Sequence, residues 1–265
     1  MHPRVSLHQV ALAQEPTAAF LEFCHGEGIQ HCTLVTPRLR HEADRKAARE
    51  SPVRIGCINH PFALYPDLER DKGDAAKVLL AAIDLAAELS VPSIYLLTGG
   101  RGRLSWEEAA SRFTDLLAPC RDRAERADIA LLVENASALN ADIHIAHTLP
   151  DTTQLARTAG IGVCVELHAC WPEANLRSNL AEALPLTGLV QVSDYVLGDR
   201  STPCRAVPGD GAMPLERILR DVLDLGYAGL FDLELIGPRI EAEGPRQACR
   251  RAAHYLSDLL YRLGA

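Results

Sequence analysis

Positive charge is scarce in this chain and is nowhere concentrated. Lys and Arg number 27 against 35 Asp and Glu, which gives a formal charge of −8, and the basic residues are scattered along the sequence. Proteins that bind nucleic acid tightly carry a basic stripe or patch, because phosphate contacts supply much of the affinity. We therefore expect no nucleic-acid partner.

Long apolar runs are also missing. No segment approaches the roughly 18 uninterrupted apolar residues of a membrane-spanning helix. The first residues, Met-His-Pro-Arg-Val-Ser-Leu, lack the charged segment, apolar run and cleavage site of a secretory signal. These absences predict a cytoplasmic protein that has no membrane partner.

The eight cysteines include no Cys-x-x-Cys pair, a spacing common in redox and zinc sites. Cys57 and Cys164 lie inside apolar segments, where a thiol behaves as a small hydrophobic side chain. We expect reduced and buried cysteines, as in most cytosolic proteins.

What the chain does contain is a repeated alternation of apolar segments with segments of helical spacing. Apolar residues make up 48% of the chain and charged residues 23%, which is typical of a globular protein. Periodicity predicts eight strands, at residues 4–8, 31–36, 53–58, 93–97, 129–134, 161–166, 187–192 and 229–234. Helical spacing is clearest in four segments, at residues 73–90, 106–127, 214–225 and 245–263.

Strand and helix alternate eight times, and this repetition indicates the fold. Alternation is typical of parallel strands, and eight repeats favour a closed (β/α)8 barrel over an open doubly wound sheet. Barrels of this kind often occupy a chain of this length as one unit. No low-complexity linker or change of composition interrupts the sequence, so we predict a single domain over residues 1–265.

Four predicted strands in the second half of the chain end in or beside a side chain that carries oxygen: Glu134, Glu166, Gln191 and Glu234. In a (β/α)8 barrel the carboxyl ends of the strands converge on one mouth, where active sites lie. An ionised Glu that ends an apolar strand is costly to bury unless a cation meets it. The pattern favours one shared cation and makes the chain a candidate enzyme.

Several short motifs resemble those of the xylose isomerase-like barrels. They are Val133-Glu134-Asn135, Glu166 with His168, Gln191-Val-Ser-Asp194, Arg205-Ala-Val-Pro-Gly209-Asp-Gly211, and Gly226-Tyr-Ala-Gly229 followed by Glu234. That family includes sugar isomerases, ketose 3-epimerases, hydroxypyruvate isomerase, inosose and dehydroshikimate dehydratases, and endonuclease IV. The resemblance extends over essentially the whole chain and implies a xylose isomerase-like TIM barrel.

The resemblance also implies a metal site. In the epimerases and isomerases of the family, four strand-end residues hold one divalent metal, and two of them, both Glu, also move protons. Glu134 and Glu234 match those two and are the expected catalytic residues. Glu166 stands where Asp is usual and Gln191 where His is usual. A ligand set made only of oxygen favours Mn²⁺ or Mg²⁺ over Zn²⁺.

A second alignment to the family changes the role of Glu166. It places His168 at the position of a substrate-touching His and Val165 at the position of the metal-binding Asp, which removes one ligand. We favour Glu166 as the ligand, because an ionisable residue at a strand end requires a cationic partner.

Five residues are predicted to bind substrate: Arg205, His168, His60, His8 and Trp171. In the ketose epimerases an Arg in the same Arg-x-x-Pro-Gly-x-Gly context reaches substrate oxygens. The alternative for Arg205 is an ion pair with a nearby carboxylate, that of Asp194, Asp199 or Asp210. His8 and His60 end predicted strands, where a histidine satisfied by the core or by solvent is the alternative. Trp171 could stack on a sugar or pack at a loop.

The resemblance implies an enzyme that moves a proton beside a metal-bound carbonyl. A hydroxycarbonyl substrate chelated by the metal has an acidified C–H, and Glu134 and Glu234 would share the roles of base and acid between them. We expect a metal-dependent isomerase or epimerase of a sugar or sugar derivative, with a homodimer implied by the family. The alternatives are a lyase or dehydratase acting on a keto-cyclitol or 3-keto-glycoside, and a non-catalytic barrel that has lost its metal.

Overall fold

Eight parallel β-strands with interleaved helices form a closed barrel in which the strands follow one another in sequence order. The computed structural model describes all 265 residues. The strands are β1 (Val5–His8), β2 (His31–Val35), β3 (Arg54–Pro61), β4 (Ser93–Leu97), β5 (Ala130–Glu134), β6 (Gly162–Glu166), β7 (Thr187–Val192) and β8 (Leu230–Leu233). The predicted (β/α)8 barrel and its eight strands are confirmed.

The helices include all four that the sequence predicts, with bounds that differ by no more than one or two residues. They are α1 (Thr17–Gly26), α2 (Thr36–Leu39), α3 (Glu42–Glu50), α4 (Asp74–Glu88), α5 (Trp106–Arg126), α6 (Leu149–Ala159), α7 (Leu167–Cys170), α8 (Leu176–Ala183), α9 (Leu215–Asp224), α10 (Pro238–Glu243) and α11 (Pro245–Leu263). None of them combines the length and apolar character that crossing a bilayer demands.

Helix α5 shows how local sequence sets a boundary. The Ser105 hydroxyl accepts a hydrogen bond from the Glu108 amide at 3.2 Å, and the Glu108 carboxylate accepts one from the Ser105 amide at 2.8 Å. This reciprocal capping box satisfies two amides that a helix start otherwise leaves without partners. The helix therefore begins directly after Ser105.

By its contacts the chain divides into two compact units. The first comprises residues 1–56 and 189–265, and the second comprises residues 57–188. A single domain over residues 1–265 stays a prediction.

In the first unit, β1 pairs with β2 and with β8, and β8 also pairs with β7. Asp232 is in register with Ser6 on one side and with Gln191 on the other. Register partners in a parallel pair point to the same face, so these three polar side chains share one face of the sheet. Leu7 and Leu233 point to the other face, on which α11 packs.

In the second unit, β3, β4, β5 and β6 pair in that order. Glu134 is in register with Cys164, so Glu134 shares a face with Cys164 and, two residues further along β6, with Glu166. Leu96 is in register with His60 and with Val133. Since Val133 and Glu134 are consecutive in β5, His60 lies on the face opposite Glu134.

All eight cysteines are free thiols and are buried, as the sequence predicts. Burial disfavours the thiolate, and it raises the pKa of Cys120 to about 11 and that of Cys249 to about 12. Thiols with such pKa values are poor nucleophiles near neutral pH. The cysteines therefore belong to the packing of the fold.

Candidate active site

The second unit brings together two of the strand-end carboxylates that the sequence singles out. Glu134 ends β5 and Glu166 ends β6, and their exposed fractions are only 5% and 1%. Asn135 ties the two strand ends together. Its Oδ1 accepts a hydrogen bond from the Glu166 amide at 2.8 Å, and its Nδ2 donates to the Glu166 carbonyl at 3.0 Å. The Val-Glu-Asn motif thus combines a candidate functional carboxylate with a structural clamp.

Glu134 has a buried histidine as its partner. The Nε2 atom of His144 lies 3.2 Å from Oε2 of Glu134, and His144 is 1% exposed. Sequence reasoning did not find His144, which lies in the segment between β5 and α6. Its one local signal is its position between two isoleucines, Ile143 and Ile145, which places a polar ring within an apolar stretch.

Glu166 is fixed by the backbone that follows it. Its Oε1 accepts a hydrogen bond from the His168 amide at 2.9 Å and so caps the short helix α7. His168 lies within that helix and Trp171 ends it, and both are partly exposed. The adjacent Val165 is fully buried, and its side chain has no atom that binds a metal. Glu166, at the very end of β6, is the side chain there that can act as a ligand.

In the first unit, Glu234 directly follows β8 and pairs with Arg205. An Nη2–Oε2 distance of 3.1 Å joins the two side chains, and both are largely buried. The Arg205 amide donates to the Ile236 carbonyl at 3.0 Å, which fixes the arginine backbone beside β8. An ion pair of Arg205 was an open alternative, but its partner is Glu234.

The three aspartates proposed from the sequence as partners of Arg205 are engaged elsewhere, so this part of the prediction was wrong. Asp199 pairs with Arg239 at 2.6 Å and Asp210 with Arg251 at 2.6 Å. Asp194 accepts hydrogen bonds from backbone amides, those of Tyr195, Gly209, Gly211 and Met213.

Asp194 therefore acts as the anchor of the loop that carries Arg205. Residues 194 and 206 also form an isolated antiparallel bridge. At Gly211 a Cβ atom would lie 2.2 Å from Asp194 Oδ1, so the close approach of this amide to the carboxylate requires glycine. The family motifs around Asp194 and Gly211 are thus explained by loop structure.

A buried polar cluster lies on the face that Ser6, Gln191 and Asp232 share. The Ser6 hydroxyl donates to Asp232 Oδ1 at 2.5 Å, and burial raises the pKa of Asp232, although the charge of His8 and the Ser6 hydrogen bond oppose that shift. His8 Nδ1 accepts a hydrogen bond from the Val10 amide at 3.0 Å. Asp232 was not predicted, because it lies within β8 and not at its end.

His60 is fully buried on the sheet face opposite Glu134. The core alternative that the sequence left open fits this placement. Substrate binding by His60, His8, His168, Trp171 and Arg205 stays a prediction.

The donor chemistry fits an oxygen-preferring divalent cation. Within the second unit, Glu134 and Glu166 offer two buried carboxylates at neighbouring strand ends. Within the first unit, taken by itself, Gln191 offers a carboxamide and Glu234 a carboxylate. Buried carboxylates are stabilised by a cation, and Mn²⁺ and Mg²⁺ favour oxygen ligands. No group of three or more His, Cys, Asp or Glu side chains forms a preassembled metal cluster.

Comparison with known proteins identifies relatives along nearly the whole chain. The family model described as xylose isomerase-like TIM barrel matches residues 3–259. Fructoselysine 3-epimerase of Shigella flexneri is 22% identical over 211 residues, which cover 76% of this chain and 72% of that protein.

Several solved structures share the fold. Protein SMc04130 from Sinorhizobium meliloti 1021 has a TM-score of 0.86 at 19% identity, covering 97% of this chain and 98% of that one. The IolI protein, solved with a bound zinc atom, has a TM-score of 0.83 at 16% identity over 98% and 99% of the two chains. D-psicose 3-epimerase with D-fructose has a TM-score of 0.79 at 14% identity over 99% and 100%. At these identities the similarity establishes the fold alone.

Proposed function

The chain belongs to the xylose isomerase-like TIM barrel family, and from that premise we propose that it is a metal-dependent epimerase or isomerase of a sugar or sugar derivative. The observation that carries the proposal is that each of the two predicted catalytic carboxylates is buried beside a nitrogen-bearing side chain. Glu134 is buried against His144, and Glu234 is largely buried against Arg205. Carboxylates held in place by positioned donors at strand ends are suited to proton transfer. Relatives that include sugar epimerases support the substrate class.

The metal ligands that we propose are Glu134, Glu166, Gln191 and Glu234, and the metal is Mn²⁺ or Mg²⁺. A divalent ion, when bound, polarises the carbonyl of a hydroxycarbonyl substrate and acidifies the neighbouring C–H. The His168 amide donates to Glu166 Oε1 and so fixes the orientation of this carboxylate at the end of β6.

The proton transfers fall to the two glutamates. The guanidinium of Arg205 beside Glu234 favours the ionised carboxylate, which is the form that accepts a proton. We assign Glu234 as the base and Glu134 as the acid that returns a proton. Return to the opposite face of the same carbon gives epimerisation, and return to the neighbouring carbon gives isomerisation.

Substrate binding is assigned to Arg205, His168, Trp171 and His8, whereas His60, which is buried on the sheet face opposite Glu134, fits the core alternative better. Arg205 is the strongest of these, because its side chain contacts a proposed catalytic residue and a guanidinium is a charged hydrogen-bond donor suited to substrate oxygens. His168 and Trp171 are partly exposed on one short helix, where an imidazole and an indole can contact a sugar. A homodimer is a further expectation from the family.

A lyase or dehydratase is the second candidate, and Gln191 is the observation that favours it. This carboxamide replaces the histidine that is usual among the family's isomerases, and it is fully buried. A neutral amide is a weaker metal ligand than an imidazole. Loss of a β-oxygen substituent after the same proton abstraction would give elimination from a keto-cyclitol or 3-keto-glycoside.

Metal binding is the first test. We would measure metal content by mass spectrometry and titrate Mn²⁺ into chelator-stripped wild type, Glu166→Ala and the surface control Glu125→Gln. We expect stoichiometric binding in wild type and control, and its loss in Glu166→Ala. No binding by wild type would contradict the proposal and support the non-catalytic barrel.

Solvent exchange then separates the reactions. Ketoses, ketoamines and 3-keto-glycosides would be incubated in D₂O with the Mn²⁺-loaded protein and followed by NMR. Deuterium incorporation with inversion at one carbon indicates an epimerase, incorporation at the neighbouring carbon an isomerase, and loss of a substituent a lyase. A metal-loaded protein that exchanges no proton in any of these classes would contradict an enolising enzyme.

A further inference from the structure

We propose that His144 is the positioning residue of Glu134 and that Thr98 in turn positions His144. The inference rests on the proposed function, because it gives Glu134 its catalytic importance. Nothing in the sequence motifs points to either residue. The argument comes from one buried hydrogen bond and from the backbone that holds it.

The hydrogen bond joins two buried polar side chains. His144 Nε2 lies 3.2 Å from Glu134 Oε2, with side-chain exposures of 1% and 7%. A buried hydrogen bond to a charged group is stronger than one at the surface, and it restricts the rotation of the carboxylate. The imidazole therefore fixes the orientation in which the carboxylate of Glu134 is presented.

The ring of His144 is held from its other side by Thr98. The Thr98 hydroxyl lies 3.5 Å from His144 Nδ1, and the same oxygen accepts a hydrogen bond from the Ile145 amide at 3.0 Å and donates to the Gly99 carbonyl at 3.0 Å. One threonine at the end of β4 therefore contacts both the histidine ring and the backbone next to it. Because the Thr98 hydroxyl gives its proton to the Gly99 carbonyl, it can only accept from Nδ1–H, and the imidazolium is the form in which Nδ1–H meets Thr98 while Nε2–H donates to Glu134.

Hydrogen bonds join the backbone on both sides of His144 to three other parts of the second unit. The Ile143 carbonyl accepts from the Gly99 amide at 2.9 Å, and the Ile145 carbonyl accepts from Trp106 Nε1 at 2.9 Å. The Ala146 carbonyl accepts from the Ala136 amide at 3.1 Å, just beyond β5. A segment held at consecutive residues gives its side chains little freedom, which is what precise placement of a catalytic carboxylate requires.

The glycines beside Thr98 fit closely between these segments. A Cβ atom at Gly99 would lie 1.9 Å from the Ala63 carbonyl oxygen, and one at Gly100 would lie 2.4 Å from the Asp142 carbonyl oxygen. Gly100 therefore brings the loop after β4 directly against the segment that carries His144, and Gly99 brings the same loop against the segment after β3. Its role is structural support of that histidine.

The first measurement compares Mn²⁺ affinity in four chelator-stripped proteins: wild type, His144→Leu, His144→Gln and the control His147→Asn. Loss of a hydrogen-bond partner of a metal ligand weakens binding by about 10- to 100-fold, which we expect for His144→Leu. The Gln side chain places an amide N–H near the position of Nε2, so His144→Gln should regain most of the affinity. His147 lies in the same segment and hydrogen-bonds to the Ala136 carbonyl instead of to a proposed ligand, so its variant should bind as wild type does.

Wild-type affinity in His144→Leu would overturn the positioning role. Equal losses in His144→Leu and His144→Gln would also overturn it, because a purely structural ring is not rescued by an amide donor. Thermal unfolding of each variant identifies any that has lost its fold.

The second measurement needs no metal. In protein labelled with ¹⁵N-histidine, we expect a slowly exchanging Nε2–H resonance that disappears in His144→Gln and shifts in Glu134→Gln. Absence of that resonance, or its insensitivity to Glu134→Gln, would refute the hydrogen bond on which the inference depends. A wild type that binds no Mn²⁺ would refute the proposed function, and the imidazole spectrum would then decide the inference by itself.

Discussion

Arg205 and Glu234 form an ion pair in which Nη2 lies 3.1 Å from Oε2, and both side chains are largely buried. One of the two proposed catalytic carboxylates thus has its own counter-charge. Every aspartate near Arg205 in sequence is engaged with another arginine or with backbone amides. Arg205 therefore pairs with Glu234. The pair joins the residue that we propose as the substrate anchor, Arg205, to the residue that we propose as the base, Glu234.

Replacing Arg205 with Ala should impair substrate binding more than the chemical step. The guanidinium donates charged hydrogen bonds, each worth about 1.5–3 kcal/mol, so KM should rise by about 10- to 100-fold. The measurement is steady-state kinetics on a substrate identified by proton exchange. Arg239→Ala, which removes an exposed ion pair with Asp199, is the matched control and should leave KM unchanged. An unchanged KM in Arg205→Ala would assign Arg205 to support of Glu234 alone.

Glu234→Gln should abolish turnover and leave the fold intact. A carboxamide cannot take up the substrate proton, and loss of a general base costs about 10²- to 10⁴-fold in rate. Its oxygen can still accept the hydrogen bond from Arg205, so thermal unfolding should stay close to that of wild type. The rate of substrate deuteration in D₂O is the measurement, with the exposed Glu241→Gln as control. Activity like that of wild type would remove Glu234 from the mechanism.

The free energy of unfolding of Asp232→Asn should increase relative to that of wild type as pH rises. Burial raises the pKa of Asp232 in the folded state, so between the unfolded value of about 3.9 and the folded value the native state binds the proton more tightly. Stability from this group is therefore present at low pH and is lost as pH rises through that window. A neutral carboxamide avoids the cost of burying a charge and can still accept from Ser6.

Urea unfolding of wild type and Asp232→Asn at a series of pH values from 4 to 7 measures this difference. We expect the free energy of unfolding of the variant to gain on that of wild type as pH rises. A difference that does not change with pH would show that Asp232 has the same pKa in the folded and unfolded states.

The barrel could be predicted because its signals are local. An apolar segment alternates with a segment of helical spacing eight times, and a cap such as Ser105 with Glu108 marks a helix start within four residues. The largest error in a strand is at β3, which continues to Pro61 where the sequence prediction stops at 58. The polar Asn59 and His60 interrupt the apolar pattern there, although pairing with β4 maintains the strand.

The sequence predicts a site residue only where a local pattern, such as a polar residue at the end of an apolar segment, marks its place in the fold. Glu134 and Glu166 end apolar strands, and that pattern is visible in the sequence. His144 depends on Thr98, which is 46 residues away, and no local pattern reveals that contact. Asp232 lies inside β8, and its neighbour Leu233 is apolar. The burial of Asp232 depends on how β8 is aligned with β1 and β7, which the sequence around Asp232 does not show.

Asn135→Ala should lower the free energy of unfolding by about 2–4 kcal/mol. The fully buried amide makes two hydrogen bonds to the Glu166 backbone, and each buried group left without its partner costs about 1–3 kcal/mol. Asn135→Asp should lose at least as much stability as Asn135→Ala. Its carboxylate can accept from the Glu166 amide, but it places a second oxygen acceptor against the Glu166 carbonyl.

Asn179→Ala supplies the matched control for this clamp. The Asn179 amide also makes two hydrogen bonds, to Glu173 at 2.9 Å and to the Ala174 carbonyl at 3.2 Å, but Asn179 is partly exposed and water can replace it. We expect the loss in Asn179→Ala to be well below that in Asn135→Ala when both are measured by urea unfolding. Equal losses would mean that the bond between the ends of β5 and β6 has no special energetic weight. Glu166 would then be held in place by its cap on the His168 amide instead of by Asn135.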